Sequence, residues 1–251
     1  MIFNLFKRKK KQNNEIIDDS QINEIYTPES KKMSKRKKQI IAIISLMMVV
    51  IIAFGSYILS LFAVKKDYEY VSSLLNLPEP IQIEAADVIN HEVDDCLITY
   101  NVKAKYTLTG RVVEKHYYMP YNTINKIARY DFGMAWGEVA NEENISQIKF
   151  RNDGQRFLHY QYPNSLIQKL GSREAITDHI SNNHLIHANE RVLKLIRNVK
   201  EGQYIKIEGY LVYVQFEFGY ADWNSSLSRT DHGDGACEIF YVTNIIWLKQ
   251  Q

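Results

Sequence analysis

The pattern of hydrophobic and polar positions divides the chain at residues 40–64, which contain no Lys, Arg, Asp, Glu, His, Asn or Gln. As a helix this stretch is about 37 Å long, enough to cross a hydrocarbon core of about 30 Å. A buried core helix would be shorter and carry polar positions at the helical period. A cleavable signal peptide would have a shorter apolar run and a small-residue cleavage site. The pattern therefore predicts one uncleaved transmembrane helix over residues 39–64.

Beyond the span, the pattern changes to a period of two. Residues 96–109 alternate apolar and polar side chains, which predicts a long half-buried strand. A turn at Thr109 and Gly110 and a returning strand over residues 111–118 follow from the same pattern. Further strands are predicted at residues 145–150, 156–162 and 204–218, and a final hairpin at residues 223–229 and 236–247. Helices are predicted after the capping residues Ser172 and Asn189.

These elements predict an α+β fold: a single N-terminal transmembrane helix and a mainly antiparallel-sheet outer domain, with an OB-like partial barrel at the C-terminal end. Four parts are expected in chain order. They are a basic, mostly disordered tail (residues 1–38), the transmembrane helix (39–64), a juxtamembrane helix and linker ending at a Pro-rich stop (65–80), and an extracytoplasmic α+β domain (81–251).

The charge distribution predicts the orientation. Six Lys and Arg precede the span within residues 31–38, and only Lys65 and Lys66 follow it before Lys103. Positive charge favours the cytoplasmic side. We therefore expect a single-pass protein of the bacterial inner membrane, with its N-terminus in the cytoplasm and its C-terminal domain periplasmic or extracellular. Residues 1–38 carry a net charge of +6 and residues 65–251 one of −4, so the outer domain has no electrostatic footprint for nucleic acid.

The C-terminal residues carry a resemblance. The run SNNHLIHAN, the strand GQYIKIEGYLV and the stretch WNSSLSRTDHGDGACEIFYVTNI, with Trp136-Gly137 upstream, resemble a family of uncharacterised bacterial proteins that are membrane-anchored or secreted. The specific part is W-x-S-S-L-x-R-x-D-x-G-x-G-A-C-E, over residues 223–238, and Ser228 stands where Thr is expected. The resemblance covers roughly residues 128–248. It implies one folded module with this loop as its signature. The family has no established activity to carry over to this chain.

Loop 223–238 is also the densest polar cluster of the sequence. A cysteine nucleophile needs a neighbouring base and an orienting group, and residues of those types are Cys237, His232 and either Asp231 or Asp234. The alternative is a structural hairpin, in which Gly233 and Gly235 adopt positive φ and the acids cap backbone N–H groups. Asp231, Asp234 and Glu238 could ligate calcium, but their spacing does not match the EF-hand pattern. His179, His184 and His187 are spaced for zinc, but ordinary hydrogen bonding explains them better. No cofactor is expected.

Two readings of function follow. The first is an envelope interaction or assembly subunit that is not an enzyme, because no complete catalytic set stands out and a tyrosine-rich outer domain suits protein interfaces. Its partners would be the membrane, through residues 40–64, and envelope proteins or a second copy of the chain. The second is an envelope hydrolase or small-ligand-binding module that uses loop 223–238. The candidate binding residues for either reading are Trp136, His184, Trp223, Arg229, Asp231 and Glu238.

The two cysteines leave a further choice open. Cys96 and Cys237 both lie in the predicted outer domain, where disulfides persist. They could pair across a long loop, or each could be a small buried apolar residue. Spacing alone does not show whether their Cα atoms approach closely enough for a bond.

Overall fold

The computed structural model describes residues 34–217, 222–228, 230, 231, 233 and 235–251, without the side chains of residues 61 and 62. The expected disordered tail lies outside the described residues up to position 33. The chain divides into two compact units, Met1–Ser60 and Leu61–Gln251.

The described part of the first unit is one long helix. Helix α1 spans Lys35–Phe62 and begins in the basic run. Its apolar side chains are exposed along its length, and the hydroxyls of Ser56 and Ser60 donate to carbonyls one turn back at 2.8 and 2.7 Å. Its length and composition suit a membrane anchor or a signal sequence.

The second unit is α+β and is built on a mostly antiparallel sheet. Its described strands are β1 (Asp67–Val71), β2 (Ile81–Val93), β3 (Cys96–Tyr117), β4 (Tyr130–Ala135), β5 (Lys149–Asn152), β6 (Leu158–Gln161), β7 (Ile180–His187), β8 (Tyr204–Phe216), β9 (Trp223–Asn224) and β10 (Glu238–Gln250). Its described helices are α2 (Thr123–Ile127), α3 (Glu142–Ile145), α4 (Asn164–Leu170), α5 (Glu174–Thr177) and α6 (Glu190–Asn198).

Five of the strands pair in a closed cycle. In order around the cycle they are β3, β4, β7, β10 and β8, and β8 returns to β3. The β7–β10 pair is parallel, whereas the other four pairs are antiparallel. Helix α6 connects β7 to β8, with the side chain of Asn189 accepting from Val192 N at 3.0 Å as its N-cap. Strand β2 extends the sheet on β3, and β1 adds in parallel to β10.

Alternation along the two longest strands produces the core. Every second residue of β3 from Cys96 to Val112 is buried, and β8 alternates in the same way on each side of Leu211 and Val212, which are both buried. Aromatic pairs such as Tyr106 and Phe240, with ring centroids 5.1 Å apart, fill the interior. Such pairs stabilise a core beyond the area that they bury. Gly209 of β8 lets the backbone of β10 approach closely, since a Cβ there would lie 2.0 Å from the Tyr241 carbonyl oxygen.

Several expected elements differ from the structure. Residues 67–71 form strand β1 rather than a juxtamembrane helix, because they find an edge of β10 to pair with. The second unit accordingly begins before residue 81. No turn occurs at Thr109 and Gly110: β3 runs through them, because β8 pairs with it from Ile98 to Arg111, with one shift of register between Val102 and Ala104.

The C-terminal half holds two more corrections. The helix expected after Ser172 is only the single turn of α5, and residues 180–187 form strand β7. The expected final hairpin is absent from the described residues, since β9 pairs with β8 and β10 pairs with β7, β8 and β1. The expected hairpin of β5 and β6, helix α6 and strand β8 are found close to their predicted positions.

Candidate functional site

A fully buried carboxylate lies at the centre of the site. Asp131 is on β4, directly opposite His184 of β7, and has no exposed surface. Its Oδ1 atom lies 2.9 Å from Nη1 of Arg156 and 2.9 Å from Nδ1 of His184. The hydroxyl of Tyr118 donates to Oδ2 at 2.9 Å. A buried charge is tolerated when it is paired and hydrogen-bonded in this way.

Arg156 holds Asp131 from the side of the β5–β6 turn. Its guanidinium also donates to Asn125 Oδ1 at 2.8 Å and to the Ala128 carbonyl at 2.9 Å. The group lies between the rings of Tyr118 and Trp223, 4.1 and 5.2 Å from their centroids. The residue has φ of 70°, which is unusual for a side chain other than glycine. Backbone strain of this kind persists where the surrounding contacts impose it.

The negative charge of Asp131 changes the pKa of His184. Burial alone would lower the pKa of His184, but the negative charge of Asp131 and the interaction with Cys237 outweigh burial and raise the pKa to about 9. Nδ1 and the Asp131 oxygen approach within hydrogen-bond distance without the alignment of a straight hydrogen bond. The contact is therefore mainly electrostatic. Trp223 covers the imidazole, with the two ring centroids 4.9 Å apart.

Cys237 completes the series on the other side of His184. It lies just before β10, is partly exposed, and interacts with the His184 side chain. Nδ2 of Asn182 lies 3.4 Å from its sulfur and donates to the Arg156 carbonyl at 2.7 Å. A carbonyl only accepts, so the amide nitrogen rather than the oxygen must face Arg156. Arg156 thus contacts both Asp131, which pairs with His184, and Asn182, which lies beside the Cys237 sulfur.

The sulfur opens onto a half-enclosed cavity of about 260 Å³. Its polar wall comes from residues 181 and 182 of β7 and from the loop before β10, and its apolar wall from the start of β7, from β6 and its approach, and from the residue after β4. The lining residues include Trp136, Tyr160, Ile180, Asn182, Asp231 and Cys237. Trp136 is fixed in this wall, because its indole N–H donates to Glu79 Oε2 at 2.8 Å. A cavity with a thiol, a histidine and a carboxylate in series at one side is suited to nucleophilic chemistry.

Comparison with family models, curated proteins and solved structures finds no match.

Most of the residues singled out in the sequence fall in or beside this site. Trp136, Asp231, Cys237 and Glu238 line the cavity, while His184 and Trp223 lie directly behind Cys237 and Asp131. Ser226 donates to Asp231 at 2.6 Å, so Asp231 braces the loop. The histidine that interacts with Cys237 is His184. His232, proposed as the base from the sequence, and Arg229 lie outside the described residues.

Other sequence expectations are separated in space. His179 pairs with Glu79 at 3.0 Å, while His184 and His187, three residues apart on one strand, point to opposite faces. Among the described residues, no group of three His, Cys, Asp or Glu is arranged to hold a metal ion. Cys96 and Cys237 are both free, so the structure has no disulfide between them. Cys96 is buried at the start of β3, in the cluster that contains Phe216.

The sequence analysis missed Asp131, Arg156 and Asn182. Their partnership depends on the β4–β7 register and on the β5–β6 turn, which no local pattern reveals. One signal was present: residues 181–184 read Ser-Asn-Asn-His, a polar run in a strand that is buried on both faces. Buried polar side chains need partners, so such a run indicates a hydrogen-bonded site.

Proposed function

We propose that the second unit is a cysteine-dependent acyl-transfer enzyme, with Cys237 as nucleophile, His184 as acid and base, and Asp131 as the group that orients His184. The observation that carries the proposal is the series Asp131–His184–Cys237 at the wall of a cavity. This is the pattern of a nucleophile, a base and an orienting group that recurs on unrelated folds. This pattern favours the hypothesis of an envelope hydrolase over the hypothesis that loop 223–238 is a purely structural hairpin.

The chemistry balances without a cofactor. The thiolate of Cys237 attacks a carbonyl carbon, and His184 in its protonated form gives its proton to the leaving alcohol or amine as that bond breaks. The product is a thioester on Cys237. An acceptor, water in hydrolysis, then loses its proton to His184, attacks the thioester and releases the thiolate. The Asn182 side-chain N–H nearest the sulfur is the donor that we assign to the developing oxyanion.

The position of the site supports the expected OB-like architecture. OB-folds are five-stranded Greek-key barrels that bind ligands on the face of their second and third strands and on the adjoining loops. In the five-stranded cycle, β4 and β7 are the second and third strands in chain order, and they carry Asp131 and His184. Asn125 lies on α2, in the connection before β4, and Cys237 lies in the loop before β10. The analogy concerns the location of a site and not its chemistry.

Covalent trapping tests the enzyme proposal. The full-length chain in detergent is mixed with p-nitrophenyl esters, and nitrophenol release and the intact mass are recorded. We expect an acyl adduct on Cys237, its loss in Cys237→Ser, and a rate at least 100-fold lower in His184→Gln. Cys96→Ser is the matched control and keeps the wild-type rate. Equal turnover by wild type and Cys237→Ser would overturn the proposal.

We propose a cell-envelope location for this enzyme: α1 spans the bacterial inner membrane once, with the N-terminus in the cytoplasm. The support is the length and composition of α1 and the excess of Lys and Arg before it. We retain membership of the family with the W-x-S-S-L-x-R-x-D-x-G-x-G-A-C-E signature as part of this proposal. The supporting observation is that its Asp231 and Cys237 line one cavity, while its Trp223 packs against His184.

A second candidate function is that of an interaction subunit, and strand β2 favours it. Ile81 and Ile83 are each 57% exposed and Val88 is 58% exposed. Within the described chain β2 pairs only with β3, which leaves its other edge open to an added strand. Crosslinking in intact cells followed by pull-down should recover a stoichiometric envelope protein, and Val88→Lys should abolish recovery while Tyr121→Lys does not. Recovery of the chain alone would reject this function.

A further inference from the structure

The cavity beside Cys237 extends along strand β7 from a polar end to an apolar end. Asn182 marks the polar end, 3.4 Å from the Cys237 sulfur. Ile180, on the same face two residues earlier, pairs with Ala135, next to Trp136. Two residues of a strand span about 7 Å. The apolar end therefore begins about 7 Å along β7 from Asn182, the residue that contacts the nucleophile.

The apolar end is walled by large side chains on more than one element. Phe157, Leu158 and Tyr160 contribute from β6 and its approach, Trp136 from the end of β4, and Ile180 from β7. Trp136 does not yield easily, because Glu79 accepts from its indole and the Leu77 carbonyl accepts from Gly137 N at 3.1 Å. Because these hydrogen bonds hold Trp136 in place, this wall limits the size of a group that enters the cavity.

The volume of the cavity indicates how large that group can be. The cavity measures about 260 Å³, whereas a dry cavity of about 150 Å³ is sufficient for benzene. The acyl chain of a membrane lipid spans about half of the 30 Å hydrocarbon core, about twice the length of β7 between Asn182 and Ile180. A ring or a short branched chain fits within the cavity, and a long lipid chain would extend out of it.

We infer that the acyl group carried on Cys237 is short and apolar, either aromatic or branched, and that it lies against Trp136 and Ile180. This inference rests on the proposed function, since it describes the substrate of the same site. The carbonyl of the thioester lies at the Asn182 end, where the donor is, and the apolar part extends along β7. Ile180 is then a residue that determines specificity.

The test compares esters that differ only in the acyl group. The full-length chain is assayed with p-nitrophenyl acetate, phenylacetate and dodecanoate, and rates that remain in Cys237→Ser are subtracted. We expect kcat/KM for the phenylacetate to exceed the other two by at least 10-fold. Ile180→Ala should shift the preference towards longer chains, and Ile180→Phe towards acetate. Ile124→Ala, at a partly buried isoleucine of another cluster, is the matched control and leaves the profile unchanged.

A second measurement does not depend on turnover. Phenylacetamide should protect Cys237 from alkylation by iodoacetamide, whereas acetamide and dodecanamide should not. A flat or long-chain ester profile overturns the inferred substrate class and leaves the enzyme proposal standing. Absent turnover together with phenylacetamide protection overturns the enzyme proposal and keeps the cavity's preference. Absent protection together with a flat profile removes the inference altogether.

Discussion

At the scale of single residues, the site is an arrangement of charges in a buried place. Asp131 is surrounded by a guanidinium, an imidazole and a phenol, and it has no exposed surface. Burial and the Asp131 carboxylate raise the pKa of Tyr118, so that hydroxyl remains a donor to Asp131. Glu114 is affected as well: burial and its neighbours Glu201 and Asp131 raise its pKa to about 7. The negative charge of Asp131 therefore influences several groups around it.

His184 makes stability depend on pH. Its pKa rises from 6.5 to about 9 on folding, so its contribution is complete below pH 6.5 and is lost as pH rises through 9. A shift of this size corresponds to at most about 3 kcal/mol. We expect the difference in free energy of unfolding between wild type and His184→Gln to fall by about that amount over this interval, as measured by urea unfolding.

The matched variant for His184 is Asp131→Asn. It removes the negative charge and leaves burial as the dominant effect on the imidazole, so the pKa of His184 should fall below 6.5. The titration of the His184 ring protons, followed by NMR, reads this directly. A wild-type midpoint below 6.5 would contradict the assigned ion pair.

Arg156 should be among the costliest residues to replace. Arg156→Met leaves the Asp131 carboxylate with His184 as its remaining cationic partner, and removing one partner of a buried ion pair costs about 3–5 kcal/mol. Arg191→Met is the matched control: Arg191 pairs with Asp67 at 3.0 Å, but both side chains are about half exposed, so the cost should be at most about 1 kcal/mol. Urea unfolding of the two variants provides the comparison.

Arg156→Lys separates charge from geometry. It keeps the positive charge beside Asp131 but loses the planar fork that also reaches Asn125 and Ala128. We expect it to recover part of the stability and little of the turnover rate. A variant that matched wild type in both would show that Arg156 supplies charge alone.

At the scale of elements, the sequence pattern predicted those strands and helices whose formation depends on local features of the sequence. Alternation identified most of β3 and β8 because one face of each is buried, and Asn189 identified the start of α6 because a cap is a local contact. Strand β7 was missed because it is buried on both faces and carries polar side chains at 181–184. Its stability comes from β4 and β10, and neither neighbour is visible in its own sequence.

The same distinction applies to the site. Cys237, His184 and Trp223 were identified as candidate residues from their types and from the density of the loop. Asp131 was not identified, because its place in the site depends on its position opposite His184 in the β4–β7 register. Arg156 reaches Asp131 from a turn that packs beside the cycle. Chemistry that is assembled across strands is set by pairing, which a single sequence does not reveal.

Helix α6 provides a test at this scale, because a lysine from another element caps its C-terminus. Nζ of Lys115, on β3, donates to the carbonyls of Ile196, Arg197 and Val199 at 3.2, 2.9 and 2.7 Å. A cation there satisfies the last carbonyls and complements the helix dipole. Lys115→Met should therefore cost about 2 kcal/mol, as measured by urea unfolding.

The control for Lys115 is on the same strand. Lys105→Met replaces an exposed lysine of β3, so it should change the free energy of unfolding by less than about 0.5 kcal/mol. Hydrogen exchange locates the effect of the first variant: the amides of residues 193–198 should lose protection before those of β8. Uniform loss of protection across the unit would argue against a local cap.

At the scale of the whole molecule, the N-terminal helix and the site make separate demands. Helix α1 exposes the apolar side chains of its described part, which is costly in water and favourable in lipid. The unit that follows buries its own core and contains the whole candidate site. The proposed chemistry therefore does not require α1, whereas the proposed location depends on it.

Orientation is the last prediction, and it follows from charge alone. Six Lys and Arg lie within residues 31–38 and two directly after the span, so the N-terminus should remain in the cytoplasm. Alkaline phosphatase, which is active only outside the cytoplasm, should be active when fused after Gln251 and inactive when fused after Ser30. Replacing the six basic residues with Gln and adding six Lys after Val64 should reverse both results. Activity of the Ser30 fusion in the unaltered chain would place loop 223–238 in the cytoplasm, and the acyl donors and acceptors of the proposed enzyme would then be cytoplasmic.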